Sequence, residues 1–157
     1  SQSVKNDRFV GEDTGIDGGK LVRGRKRHLA FDVCGCLLGV RVTSANIHDG
    51  TAGVSLMENV LDDYPSLKAV FADSAYLGTF KDFIEITKGL FAFISDRVKK
   101  KKGEGFRPQK KRWKAEQGIS NLGTCRRLAK DYEKNPRNSE TWIKLADVLR
   151  IFKRLFC

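Results

Sequence analysis

Two short apolar runs, Leu67 to Ala72 and Leu90 to Ile94, constrain the fold of this chain more than any other feature. Between them Phe80, Phe83, Ile84 and Thr87 recur at helical spacing, so the segment reads strand, helix, strand. A crossover helix returns the chain to the same end of the sheet, which predicts that the two strands lie side by side and parallel. The first run ends in Asp73 and is followed by a turn, placing a carboxylate at the edge of the sheet.

Upstream, residues 5 to 27 hold five glycines and interleave acids with bases, the pattern of an extended loop or irregular hairpin around Asp17-Gly18-Gly19. It closes on the basic cluster Arg23-Gly24-Arg25-Lys26-Arg27. The runs Leu29 to Val33 and Leu37 to Val42, joined by Cys34-Gly35-Cys36, predict an antiparallel hairpin. Val54, Met57, Val60 and Leu61 predict an amphipathic helix that Tyr64-Pro65 terminates. Helices are further predicted at about 112 to 132 and 139 to 156, the second with Trp142, Leu145, Val148, Leu149 and Phe152 on its buried face. Hairpin, helix, strand, helix, strand and helices in that order describe an α/β fold, a mixed sheet covered by helices. At 157 residues and 40% apolar content the chain has enough material for one such domain.

The formal charge of +11 makes a polyanion the expected partner, because neutralising phosphates releases condensed counterions. No apolar run approaches the roughly 20 residues of a bilayer span, so nucleic acid is preferred over a membrane. Cys34, Cys36, Cys125 and Cys157 lack the spacing of a structural zinc site; Cys34 and Cys36, flanking Gly35, read as small buried or half-buried side chains, and a reducing cytoplasm is expected. The first residue is Ser rather than Met, as expected of a piece of a longer protein.

Between Arg97 and Lys130 the chain carries thirteen Lys and Arg and only two acids, one of them Glu116. The first part, about 97 to 111, reads as a lysine-rich loop. On a helical wheel Glu116 borders the apolar arc of Ala115, Ile119, Leu122, Cys125 and Ala129, with Arg112, Arg127 and Lys130 on its own side. Glu116 either pairs with Arg112 one turn back or binds a metal beside phosphates. Asp73 likewise either caps a turn or joins Glu116 in holding a divalent ion. Asp32, His28 and His48 read as turn or structural residues.

The blocks Ser1-Gln2-Ser3-Val4-Lys5, Gly24-Arg25-Lys26-Arg27-His28-Leu29 with Asp32, Val42-Thr43-Ser44-Ala45-Asn46 with Asp49, and Ala72-Asp73-Ser74-Ala75-Tyr76 resemble, in order, blocks of bacterial insertion-sequence transposases of the DDE type. Arg112-Trp113-Lys114-Ala115-Glu116 and Cys125-Arg126-Arg127-Leu128-Ala129-Lys130-Asp131-Tyr132-Glu133 complete a similarity to the insertion-sequence-five and insertion-sequence-four type that spans nearly the whole chain. The resemblance implies an RNase H-like catalytic domain over residues 1 to 157, with Asp73 and Glu116 as the second and third metal-binding acids. The first acid would stand immediately before Ser1, so the first strand is expected to be largely missing and the fragment inactive as it stands.

The resemblance also implies Mg2+ or Mn2+ as cofactor, transposon-end and target DNA as partners, a homodimer during strand transfer, and a bacterial, nucleoid-associated location. DNA contacts are expected from Arg25, Lys26, Arg27, Arg112, Lys114, Arg126, Arg127 and Lys130. Gly118 departs from the family pattern and costs a helix about 1 kcal/mol relative to Ala. Thr124 stands where a base is common, and a DNA-recognition region usual at the front of such proteins is missing. Two rival readings are a non-catalytic basic nucleic-acid-binding module and an RNase H-like nuclease using Asp32 with Asp73 and Glu116.

Overall fold

The computed structural model describes residues 1–7, 13–95 and 113–156. Strands β1 (Gln2–Lys5) and β2 (Gly15–Asp17) both pair antiparallel with one side of β3 (Val22–Phe31). On the other side of β3 lies β4 (Leu37–Ser44), also antiparallel. Helix α1 (Asp49–Asp63) follows, capped by the His48 side chain accepting from Gly50 N. Next come β5 (Ala69–Asp73), a single 3-10 turn Ser74–Tyr76, α2 (Thr79–Asp82) running into a π turn Phe83–Thr87, and β6 (Phe91–Ser95). The C-terminal part consists of α3 (Trp113–Gly123), a 3-10 turn Arg126–Leu128 and α4 (Pro136–Phe156).

The parallel pair expected from the two apolar runs is present, Ala69 to Asp73 aligning with Phe91 to Ser95. Among the described residues this pair forms its own two-stranded sheet, separate from the four-stranded one. Two apolar cores flank the larger sheet. Leu56, Met57, Val60, Phe80 and Ile84 bind α1 and α2 to it and to Val70, Ala72 and Ile94 of the parallel pair. On the opposite face Val40, Val42, Leu122, Leu128 and Ile143 gather α3 and α4 over Leu29 and Phe31.

Three boundaries differ from the sequence-based expectation, each because polar partners replace apolar ones. The hairpin's first strand begins seven residues earlier, at Val22 rather than Leu29, so the basic cluster belongs to a strand with Arg25, Lys26 and Arg27 buried. The helix expected to reach 132 ends at Gly123, where Cys125 N donates to the Leu122 carbonyl and both Thr124 N and Oγ1 donate to the Asn121 carbonyl. In α4 the predicted apolar face is the exposed one, from Trp142 at 40% to Val148 at 60%, whereas Ser139, Ile143 and Asp147 are buried. That rotation lets α4 serve β4: Leu37 N donates to Asp147 Oδ2 at 3.0 Å and Val42 N donates to Glu140 Oε1 at 2.9 Å. Two amides that would otherwise lie open on an edge strand are thereby satisfied.

Candidate active site

Small and apolar residues let β5 pack against the α1 and α2 core, and the strand stops at Asp73 because this side chain turns the chain. Its Oδ1 accepts from Ala75 N at 3.0 Å and caps the 3-10 turn. The capping alternative is therefore realised, and it leaves the carboxylate half-buried at the C-terminal end of a parallel strand.

Asp73 shares its surroundings with Asp49 and Tyr76. Ser1 Oγ donates to Asp49 Oδ2 at 2.8 Å, and Lys26 Nζ stands 3.0 Å from Asp49 Oδ1. Burial alone would raise the Asp49 pKa, but hydrogen bonds from Lys26 and Ser1 outweigh it and hold the group below its ordinary value. Tyr76 is raised, first by burial and then by Asp49 and Asp73, and stays protonated. Beneath them His28 is fully buried, its Nε2 against Thr43 Oγ1 at 3.0 Å, and burial lowers its pKa to about 4. The site thus gathers two carboxylates, a protonated phenol and a neutral imidazole.

Asp49 was not among the expected site residues. Its signal in the sequence is an acid in the first turn of α1, which reads as favourable helix-end electrostatics and gives no hint of Ser1 or Lys26.

Glu116 lies in the first turn of α3 on its exposed side. The helix is seated by Leu122 in the core and by Gly118, where a Cβ would stand 2.6 Å from Phe31 Cε1. The departure from the family pattern at Gly118 therefore answers the Phe31 ring. Asp73 and Glu116 are carried by different units, β5 beside α1 and α2, α3 against β3 and α4. Among the described residues no group of three or more His, Cys, Asp or Glu is poised to hold a metal ion. Carboxylate oxygens are nonetheless the right donors for Mg2+, which is commonly bound by one or two of them, with water and substrate phosphates completing its shell.

Three of the expected DNA contacts, Arg25, Lys26 and Arg27, have their charges engaged inside the fold, whereas the fourth basic residue with intramolecular partners, Arg127, is exposed. Arg25 is fully buried, its Nη1 3.3 Å from Asp131 Oδ2 and its two Nη atoms donating to the Glu133 and Lys134 carbonyls at 2.7 and 2.8 Å. Lys26 serves Asp49 and the Ile47 carbonyl, and Arg27 donates to the Leu128 carbonyl at 2.8 Å. Arg127 pairs with Glu133 and lies 5.1 and 5.0 Å from the ring centres of Tyr132 and Trp142. Arg126 and Lys130 are also exposed, and Lys114 is half-buried with its Nζ over the Trp113 ring at 4.9 Å. Arg112 and the lysine-rich stretch 97 to 111 lie outside the described residues, as does Cys157.

Asp32 closes the β3–β4 hairpin, its Oδ1 accepting from Cys34 N and Cys36 N, both at 2.8 Å. Gly35 in that turn has φ +83°, a conformation glycine adopts without a Cβ penalty. Such a turn role weakens the nuclease reading that needs Asp32 as a metal ligand. The three described cysteines are free thiols. Among the described residues no helix is long and apolar enough to cross a membrane.

Comparison with known families gives one match, a family described as transposase DDE domain, over residues 1–149. No curated protein and no solved structure matches the chain significantly. The match covers nearly the entire chain, which belongs to the transposase DDE domain family. Its mixed α/β architecture agrees with the RNase H-like fold expected of that family.

Proposed function

We propose that this DDE-family chain forms the acid-bearing part of a bacterial DNA transposase, with Asp73 and Glu116 as metal-binding acids and DNA as substrate. Residues 1 to 157 would then be part of one catalytic domain that works as a homodimer in the strand-transfer complex. The observation carrying the proposal is Asp73, a half-buried carboxylate ending a parallel strand, with Asp49 acting on the same buried phenol of Tyr76. Two carboxylates gathered at one place suit divalent metal chemistry on phosphodiesters.

When bound, Mg2+ or Mn2+ would activate the attacking oxygen and offset charge on the leaving one. Asp73 would supply carboxylate oxygen at the strand end, its orientation fixed by Ala75 N. Asp49, held by Lys26 and Ser1, would add negative potential without changing protonation near neutral pH. Glu116 would supply the other metal-binding carboxylate from the exposed turn of α3. Lys114, Arg126 and Lys130, together with Arg112 implied by the family signature, would neutralise backbone phosphates. Such contacts position DNA without reading its sequence.

The test is nicking of transposon-end DNA by the complete protein in Mg2+ or Mn2+. Asp73→Asn and Glu116→Gln should each lower the rate by about a hundredfold or more, with DNA affinity measured in EDTA changed little. Undiminished cleavage by either variant would remove that residue from the metal site.

A further inference from the structure

A second feature lies on the opposite side of the larger sheet from Asp49. Between the hairpin tip, α3 and the end of α4 runs a cleft of about 380 Å³ whose lining includes Trp113, Lys114, Gln117, Asn121, Arg150 and Arg154 but no acid. Its lining carries three cations, Lys114, Arg150 and Arg154, and no carboxylate. We infer that the cleft seats the sugar-phosphate backbone of one DNA strand. The inference rests on the DNA-acting reading above and assigns a place on the fold for that contact.

The cations are not equivalent. Arg150 is fixed, its Nε donating to Asp147 Oδ1 at 2.9 Å and its Nη2 to the Gly35 carbonyl at 2.8 Å, so its charge is largely compensated. Lys114 and Arg154 have no carboxylate in the cleft to answer them and supply its net positive potential. Gln117 and Asn121, one turn apart on α3, add amides that can donate to phosphate oxygens. Trp113 is 50% exposed and offers a flat face to a sugar or an unpaired base. A volume near 380 Å³ admits a nucleotide-sized group, the scale of one segment of a single backbone.

Binding of fluorescent single-stranded and duplex oligonucleotides to this chain, measured in EDTA across a salt series, tests the inference apart from metal chemistry. Lys114→Gln with Arg154→Gln should weaken single-strand binding roughly tenfold and reduce the salt slope by about 1 to 1.5. The charge-matched pair Lys68→Gln with Lys88→Gln, outside the cleft, should change affinity less than about twofold. The chain has two tryptophans, so in a Trp142→Phe background single-stranded DNA should quench the emission of Trp113 saturably. Equal losses for the two lysine and arginine pairs, or no quenching of Trp113, would overturn the cleft while leaving DNA binding in place. Failure of the unaltered chain to bind any DNA would instead defeat the transposase reading itself.

Discussion

Acidification should destabilise the fold through His28, beginning as the pH falls below 6.5. The imidazole is fully buried, its Nδ1 has no hydrogen-bond partner among the described residues, and its pKa falls from 6.5 to about 4. Burial is the main cause; Asp49 pulls the other way, and Lys26 reinforces the lowering. Between pH 6.5 and 4 the unfolded chain takes up a proton that the folded one refuses, so stability rises with pH across that window and falls as acid is added. Linkage puts the loss at about 2.5 kcal/mol by pH 4.5, approaching about 3.4 kcal/mol below pH 4. Asp17 and Asp49, both lowered, act in a different range: their contributions are present above the unfolded carboxylate value and disappear only as pH drops through their folded ones. Urea unfolding followed by tryptophan emission at half-unit steps from pH 7 to 4.5 measures the slope directly. His28→Gln, which keeps a polar partner for Thr43, should flatten it. Equal slopes for the two proteins would refute the assignment of this window to His28.

Two other substitutions probe how the site is held. Gly118→Ala should destabilise the chain by up to about 2 kcal/mol, because overpacking against Phe31 outweighs the gain of about 1 kcal/mol from helix propensity. In a Phe31→Leu background the same change should become stabilising, and chemical denaturation of the four proteins in that cycle checks the reversal. Asp131→Ala should cost about 3–5 kcal/mol, since it strands the buried Arg25 guanidinium and removes the acceptor of Ser139 Oγ at 3.0 Å. A loss under about 1 kcal/mol in urea unfolding would show that Arg25 recovers other partners.

What could be read from the chain was whatever apolar spacing encodes. Val70 and Ala72 of β5, Ala92 and Ile94 of β6 and the Val54 to Leu61 face of α1 announced themselves because their partners are apolar and nearby in sequence. Asp73 was legible for the same reason, as the residue where an apolar run stops. The front half of β3 was not, because its buried side chains are Arg25, Lys26 and Arg27, whose partners include Asp131, Asp49 and carbonyls from distant segments. Hydropathy also chose the wrong stripe of α4: Asp147 and Glu140 are needed at the β4 edge, and that requirement turns Leu145, Val148 and Phe152 outward. Asp49 illustrates the limit for the site itself, since its place beside Asp73 depends on Ser1 and Lys26 meeting it across three elements.

The Arg25 contacts also set a timetable for synthesis. Its Nε donates to the Asp13 carbonyl 12 positions back, but the acceptors of its two Nη atoms lie 106, 108 and 109 positions further along the chain. At about 5–20 residues per second a ribosome needs roughly 5–20 s to reach them, and during that time the nascent strand holds a guanidinium with nowhere dry to go. Hydrated charge in that position keeps the strand from collapsing early onto the wrong neighbour, so the larger sheet closes late, after Asp131 has emerged.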